Sequence, residues 1–360
     1  MATACLGRYN GSIMTDSRDS APLSALPSVS SRRWWSRDEI IRKRPFLLER
    51  QRIVADIRAF FTRQGLLEVE TPVLQLSPGL EPHLRAFSTI LEEPFASRER
   101  TFFLHTSPEF AMKKLLAGGL GPIFQMARVF RNGERSERHH PEFTMLEWYR
   151  PGATYRDLMD DCDGLFAAVG LPGPCERLTV QEAFLRYAGV DVLATVDDPY
   201  SPAPDPARLK AEAARIGIYT GENDSWDDAF FHIFLEKIEP RLGEERPVIL
   251  HDWPASMAAL SRRSAADPQV CERFEIYLHG VELANAFGEL TDPVEQRRRF
   301  DHDMDLKEQL YGIRYPIDDS FIEAVGLLPD CAGIALGVDR LVMAVTGATR
   351  IEDVLWAEVD

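Results

Sequence analysis

Residues 123–149 constrain the chain more tightly than any other stretch. Ile123, Gln125, Ala127 and Val129 alternate with residues of opposite character, and so do Phe143, Met145, Glu147 and Tyr149. Period two reads as two strands. The charged segment between them is too long for a tight hairpin turn, so the strands are joined by a loop. Glu147 and Tyr149 fall on the same face as Phe143 and Met145. A carboxylate on an apolar face is costly unless it meets a cation. Arg131, Arg135 and Arg138 lie in the loop, where they can fold over a polyanion. One end thus offers anion contacts and the other a negative pocket. Such a hairpin suits a site that holds a phosphate compound and an ammonium compound together. The plain alternative is an exposed charged loop with a solvated glutamate.

Composition sets the outer limits. The chain has 360 residues, 45% hydrophobic and 27% charged, an ordinary globular profile. No apolar run reaches the ~18 residues of a membrane helix, and no apolar signal core lies near the start, so a cytoplasmic protein without membrane contact is expected. The five cysteines (Cys5, Cys162, Cys175, Cys271 and Cys331) are scattered with no CxxC pair, which reads as reduced thiols and not as a zinc site. The formal net charge of −16 disfavours extended nucleic-acid binding, which relies on a basic face.

Taken in order, residues 1–36 hold eight serines with scattered Pro, Gly and Asp, and are expected to form a disordered extension. Residues 37–360 are expected to form one catalytic domain with a helical insertion around 151–245. Ile53, Val54, Ile57, Phe60 and Phe61 follow helical spacing from Phe46 onward, and Gly65 stops that helix. LLEVETPVL then reads as a strand broken at Pro72. Ser107, Pro108 and Glu109 make a good helix start, with Glu109 at the positive end of the helix dipole. In the insertion, Thr179 with Glu182 forms a capping box, and Ser225 with Asp228 a similar acidic start. RPVILHDWP reads as a buried strand. Phe274–Leu278 and Val281–Leu290 read as strands joined near His279 and Gly280. Asn285 and Glu289 share a face that strict alternation denies to Glu282, so a common site for both glutamates requires a bulge, which Gly288 permits. Gly333, Ala335 and Gly337 line one side of a strand, and a helix follows from about Asp339 to Gly347. Small residues there admit a flat ligand, although tight helix–sheet packing needs the same glycines.

FRN followed by HPEFTMLEWY resembles the second signature of the class II aminoacyl-tRNA synthetases, lysyl branch. The helix–strand–Pro order after Phe46 resembles the first signature, and ALGVDR the third. The resemblance covers roughly residues 46–360. It implies an α+β fold, a class II synthetase catalytic core of antiparallel β-sheet flanked by helices, and a homodimer. Only a Ser-rich segment precedes this core, where lysyl-tRNA synthetases have an anticodon-binding barrel. Together with HPEFTMLEWYRPG, DWPAS and GVELANAFGELTD, this is similar to the elongation factor P–(R)-β-lysine ligases. That family activates (R)-β-lysine with ATP and transfers it to the ε-amino group of a lysine on elongation factor P. The rival readings are a truncated tRNA-charging enzyme and a non-catalytic regulatory paralogue.

The resemblance implies a role for each matching position. Arg131 and Arg340 bind the ATP phosphates and carry the catalytic electrostatics. Asn132, Gly133, Glu134, His140, Phe143, Glu282, Leu283 and Gly337 complete the ATP site. Glu282, with Glu289 as second ligand, holds Mg2+. Ser107, Pro108, Glu109, Glu147, Tyr149, Asn285, Glu289 and Ala335 form the amino-acid pocket. Ala335 stands where lysyl-tRNA synthetases have glycine, and one methyl is worth about 1–3 kcal/mol of discrimination. Gly133 and His140 depart from the family pattern.

Overall fold

A computed structural model describes residues 33–94 and 99–359. The extension expected over 1–36 lies almost wholly outside the described residues. Helix α1 (Arg37–Arg63) starts at Arg37, where the Ser36 hydroxyl accepts the Glu39 N–H, and runs on through Pro45. Proline removes one helical hydrogen bond and normally breaks a helix. The residue whose carbonyl loses its partner is Ile41, which is exposed to solvent, while Leu47, Arg50, Ile53, Ile57 and Phe61 are buried on the other side. Burial of that face outweighs the local defect. LLEVETPVL is two short strands and not one. β1 (Leu67–Glu68) runs parallel to the strand at 123, and β2 (Leu74–Gln75) joins a small antiparallel sheet with β3 (Ser88–Leu91) and β4 (Arg100–Leu104).

Helix α2 (Glu109–Ala117) leads to β5 (Ile123–Phe130) and β6 (Glu142–Pro151), paired antiparallel along their length. Helix α3 (Tyr155–Val169) follows a capping box at Thr154 and Asp157. β7 (Glu176–Thr179), α4 (Val180–Ala188), α5 (Ala207–Arg215) and α6 (Trp226–Ile233) come next, with capping boxes at Thr179–Glu182 and Ser225–Asp228. This segment is woven into the domain. Leu158, Cys162, Leu165 and Phe166 of α3 pack in the main core, and β7 forms one edge of the main sheet. Helices α4–α6 pack with residues of β7, the next two strands and their connections in a second core, centred on Trp226 and Phe230.

β8 (Val248–Pro254), β9 (Val270–Leu278) and β10 (Val281–Gly288) continue antiparallel, and His279 and Gly280, both at positive φ, turn the chain between the last two. Helices α7 (Pro293–Tyr311) and α8 (Asp319–Val325) precede β11 (Cys331–Gly337), α9 (Val338–Thr346) and α10 (Ile351–Val354). The eight-stranded sheet has the order β1-β5-β6-β11-β10-β9-β8-β7, antiparallel except at its two edges.

Phe124, Leu146, Trp148, Ile334 and Leu336 face the core made with α1, α3 and α9. Period two therefore sends Gln125, Glu147, Tyr149, Gly333 and Ala335 to the opposite face. A register shift between Glu282 and Ala284 places Leu283 and Ala284 together in the core. This bulge brings Glu282 onto the face of Asn285, Phe287 and Glu289. It lies at Leu283, five residues from the end of the strand, and not at Gly288. A buried pair between Arg50 and Asp339 ties α1 to α9, and Asp339 also accepts the Thr144 N–H at 2.6 Å, fixing both to β6.

Candidate active site

Two rows of side chains cross the open face of the sheet. Gln125, Glu147, Ala335, Asn285 and Glu275 are successive cross-strand partners in one row, and Ile123, Tyr149, Gly333, Phe287 and Arg273 in the next. Ala335 thus stands between Glu147 and Asn285. Gly333 has no room for a side chain, since a Cβ there would lie 2.2 Å from the Tyr149 ring and 2.4 Å from Glu289 Oε1. The glycine lets Tyr149 and Glu289 close over the strand together.

The acidic end is assembled at the start of α2. Ser107 Oγ accepts the Glu109 N–H at 3.0 Å and donates to Glu147 Oε1 at 2.6 Å. The Tyr149 hydroxyl donates to Glu147 Oε2 at 2.9 Å. Burial raises the Glu147 pKa to about 8, and the nearby Glu109 carboxylate adds to the shift. Burial likewise lifts Glu289 to about 7 against the pull of Lys113, and raises Glu109. Lys113 Nζ lies 2.5 Å from Glu109 Oε1 and 2.6 Å from Glu289 Oε2. Its burial opposes the charge, yet the two carboxylates hold it protonated above the ordinary lysine range. Gln125 Oε1, one strand over from Glu147, is buried without a donor. Pro108 precedes the helix and is buried.

Behind this pocket lies a buried network. Arg273 donates to the Met257 carbonyl at 2.6 Å, to Glu275 Oε1 at 2.5 Å and to Asn285 Oδ1 at 3.3 Å, and stacks on Trp253. The Tyr277 hydroxyl donates to the other oxygen of Glu275. Asn285 is therefore oriented with its amide nitrogen free to turn toward the open face.

At the opposite end the Arg131 guanidinium lies over the Phe143 ring, 5.2 Å from its centroid, and its buried Nε has no acceptor. Arg340 donates to the Glu282 carbonyl at 2.8 Å and to His139 Nε2 at 2.7 Å. Burial, with Arg340 beside it, lowers His139 to about 4, so the ring is neutral and accepts. Glu134 lies close enough to act electrostatically on both His139 and Arg340. His140 is turned away from this cleft, with Nδ1 against the Glu142 carbonyl at 2.6 Å and Nε2 accepting the Val359 N–H at 3.2 Å. Its position pins the chain end to the loop, and the histidine that meets Arg340 is His139. Asn132 donates its N–H to the Arg85 carbonyl at 2.7 Å, and Gly133, at φ +85°, lies against the Arg85 side chain. Leu283 presents only its backbone here, its carbonyl 3.9 Å from where a Gly337 Cβ would be. Nothing lies closer to that position, so the strand is open above Gly337.

The orphaned Arg131 Nε beside Phe143 and Arg340 fits an anionic, aromatic ligand. Mg2+ takes one or two carboxylates together with phosphate oxygens. Glu282, at the arginine end, suits that chemistry. Glu289 lies at the acidic end of the face, 2.6 Å from Lys113 Nζ. Among the described residues no group of three His, Cys, Asp or Glu forms a metal cage.

Lys113 is the site residue that sequence reasoning missed. Its spacing from Glu109 is that of a routine surface pair on a helix, and nothing local marks it as buried.

A fold with this sheet, these two ends and the three signature segments defines a class of protein. Residues 35–356 match the model for tRNA synthetases class II (D, K and N), and the chain belongs to that family. Its similar relatives narrow the class. It is 43% identical over 316 residues to the elongation factor P–(R)-β-lysine ligase of Histophilus somni, covering 87% of this chain and 95% of the relative. It is 42% identical over 314 residues to the protein of that name from Haemophilus influenzae (87% and 94%), and 44% identical over 310 residues to that from Mannheimia succiniciproducens (86% and 93%).

Proposed function

We propose that this chain is an ATP-dependent ligase that activates (R)-β-lysine and attaches it to a lysine of elongation factor P. The observation that carries the reading is the division of one sheet face into a buried carboxylate end and an arginine end, spanned by Gly333, Ala335 and Gly337. (R)-β-Lysine carries one ammonium at the far end of its chain and the other on the carbon β to its carboxylate, so both cations can face the acidic end while the carboxylate is directed toward the arginine end. Glu109, Glu147, Glu289 and Tyr149 receive the ammonium groups, with Asn285 and Ala335 between them. The carboxylate oxygen then attacks the α-phosphorus of ATP, and pyrophosphate departs. Arg131 and Arg340 bear the developing negative charge, which makes the step one of positioning and electrostatics. Guanidinium groups suit phosphate geometry and stay charged throughout. Glu282 is the residue to hold Mg2+, which supplies charge neutralisation on the phosphates. In the second step the acceptor lysine nitrogen attacks the acyl carbon, the bond from that carbon to the bridging oxygen breaks, AMP leaves with the oxygen and the nitrogen loses its proton.

The reading carries two further elements. Ile41 and Leu48 of α1, Leu67 of β1 and Leu74 of β2 are exposed apolar residues, and support a homodimer built on this surface. An enzyme acting on a translation factor belongs in the cytoplasm, and no helix among the described residues is long and apolar enough to cross a membrane.

The test is ATP–pyrophosphate exchange with (R)-β-lysine, with L-lysine and with neither, followed by mass measurement of elongation factor P. Exchange favouring β-lysine, and a mass gain of one lysyl unit on the factor, is the expected result. No exchange by folded protein with either amino acid would overturn the reading.

A further inference from the structure

The pocket that should receive two ammonium groups already contains one. Lys113 Nζ lies within 2.6 Å of both Glu109 and Glu289, and all but 1% of its side chain is buried. Such a group is not a surface pair that happens to be covered. It comes from one turn along the helix whose first turn carries Glu109, and it reaches across to the strand end that carries Glu289. One ammonium thus serves two carboxylates, each within hydrogen-bonding distance. Glu289 is almost fully buried, and its carboxylate oxygens have lone pairs left to accept a further N–H. Gln125 Oε1, in the same pocket row as Glu147, is buried without a donor. Two acceptors, on Glu289 and on Gln125, are therefore left for the N–H groups of a ligand.

Charge gives the same count. Glu109, Glu147 and Glu289 are three buried carboxyl groups, and Lys113 compensates one. A ligand with two ammonium groups compensates the other two, leaving its carboxylate for the arginine end. A ligand with one ammonium leaves a buried carboxylate either charged and unpaired or protonated, and both are costly.

We propose that Lys113 is a resident ammonium that sets the pocket's requirement at two further cations, and so acts as a positioning and specificity-determining residue for diamino acids. This rests on the function proposed above. Lys113 does not react. It holds Glu109 and Glu289 at a fixed separation, and it fills one of three cation positions so that the substrate must fill the other two.

The experiment uses the full chain and pyrophosphate exchange, with wild-type exchange on (R)-β-lysine as the control that decides the underlying reading separately. In Lys113→Met, which keeps the bulk of the side chain, the KM for β-lysine should rise at least ~30-fold, since an uncompensated buried carboxylate replaces a pair. The KM for ATP should stay within about twofold, because the arginine end is untouched. In Lys113→Ala, added propylammonium should restore exchange in a saturable manner, and tetramethylammonium, which has no N–H, should not. Thermal melts of both variants identify any loss due to unfolding. An amino-acid KM in Lys113→Met within about threefold of wild type, against the rise expected from a broken buried pair, would overturn the proposal. So would folded Lys113→Ala protein that propylammonium leaves unrescued, because a merely structural lysine gives that result. If wild-type protein shows no exchange, the functional reading fails first and the variants are not needed to show it.

Discussion

Replacing two glycines of β11 by alanine, one at a time, should give opposite signatures. In Gly333→Ala the new methyl would lie 2.2 Å from Tyr149 Cε1 and 2.4 Å from Glu289 Oε1, against an ordinary contact of 3.4 Å or more. One or both side chains must move by more than about 1 Å, and neither is free to do so. Tyr149 is bonded to Glu147 and Glu289 is held by Lys113. Overpacking of this kind costs about 1–3 kcal/mol of stability. A 1 Å misplacement of binding groups costs about 100-fold in rate. Gly337→Ala is different. Its methyl would meet Arg340 and the Leu283 carbonyl only at 3.9 Å, and the backbone φ of −74° suits any residue. Stability should change by less than ~0.5 kcal/mol. The methyl instead takes space above the strand where the nucleotide base is expected. Pyrophosphate exchange with each substrate varied in turn separates the two. Gly333→Ala should raise the KM for the amino acid at least ~10-fold, the loss of one hydrogen bond to a charged group. Gly337→Ala should raise the KM for ATP and leave that for the amino acid unchanged. An unchanged amino-acid KM in Gly333→Ala would refute the packing argument, and the reverse assignment of the two effects would refute the placement of the two ligands.

Three further outcomes follow from the same geometry. Because burial, with Glu109 nearby, holds Glu147 protonated up to about pH 8, and an ammonium ligand needs its charged form, kcat/KM for the amino acid should climb as pH rises from 6 to 8.5. Glu147→Gln should flatten that profile while lowering activity throughout, and a wild-type profile flat over this range would contradict the shift. Asp339→Asn removes the charge facing buried Arg50 and should cost about 3–5 kcal/mol, read as a lower denaturant midpoint with little change in slope. Glu282→Gln should raise the Mg2+ concentration needed for half-maximal exchange, whereas Glu289→Gln should impair the amino-acid KM and leave the Mg2+ requirement in place.

Much of this was legible from local pattern. The alternation through Phe143, Met145, Glu147 and Tyr149 assigned both faces of β6, because burial on one side of a sheet leaves a clear period. The helix starts at Ser107, Thr179 and Ser225 were equally plain, since capping depends on neighbours a few residues away. What escaped depends on contacts between distant segments. The helical spacing read from Phe46 onward did not reach back across Pro45, yet packing of α1 against α3 and α9 carries the helix through it. The glutamates of β10 needed a bulge, and Gly288 was the natural place by residue type. The register against β9 puts it at Leu283, a residue with no chemical mark of that role. Of two adjacent histidines, the one that meets Arg340 is decided by how the loop closes on α9, and no spacing rule separates them.

The bulge at Leu283 also sets what kind of sequence change this strand can survive. Along most of β10 a substitution alters one side chain in one place. At 283 the chain changes phase, and everything on its N-terminal side is read one residue out of step with everything after it. Deleting Leu283 itself would only remove the bulge and leave Glu282 on the open face. Deleting one residue between Ala284 and Gly288, with the bulge in place, would send either Glu282 or Glu289 into the apolar core. The composition would barely change, and the strand would keep its hydrogen bonds. Over evolutionary time, therefore, the segment from Glu282 to Glu289 should vary in identity far more readily than in length.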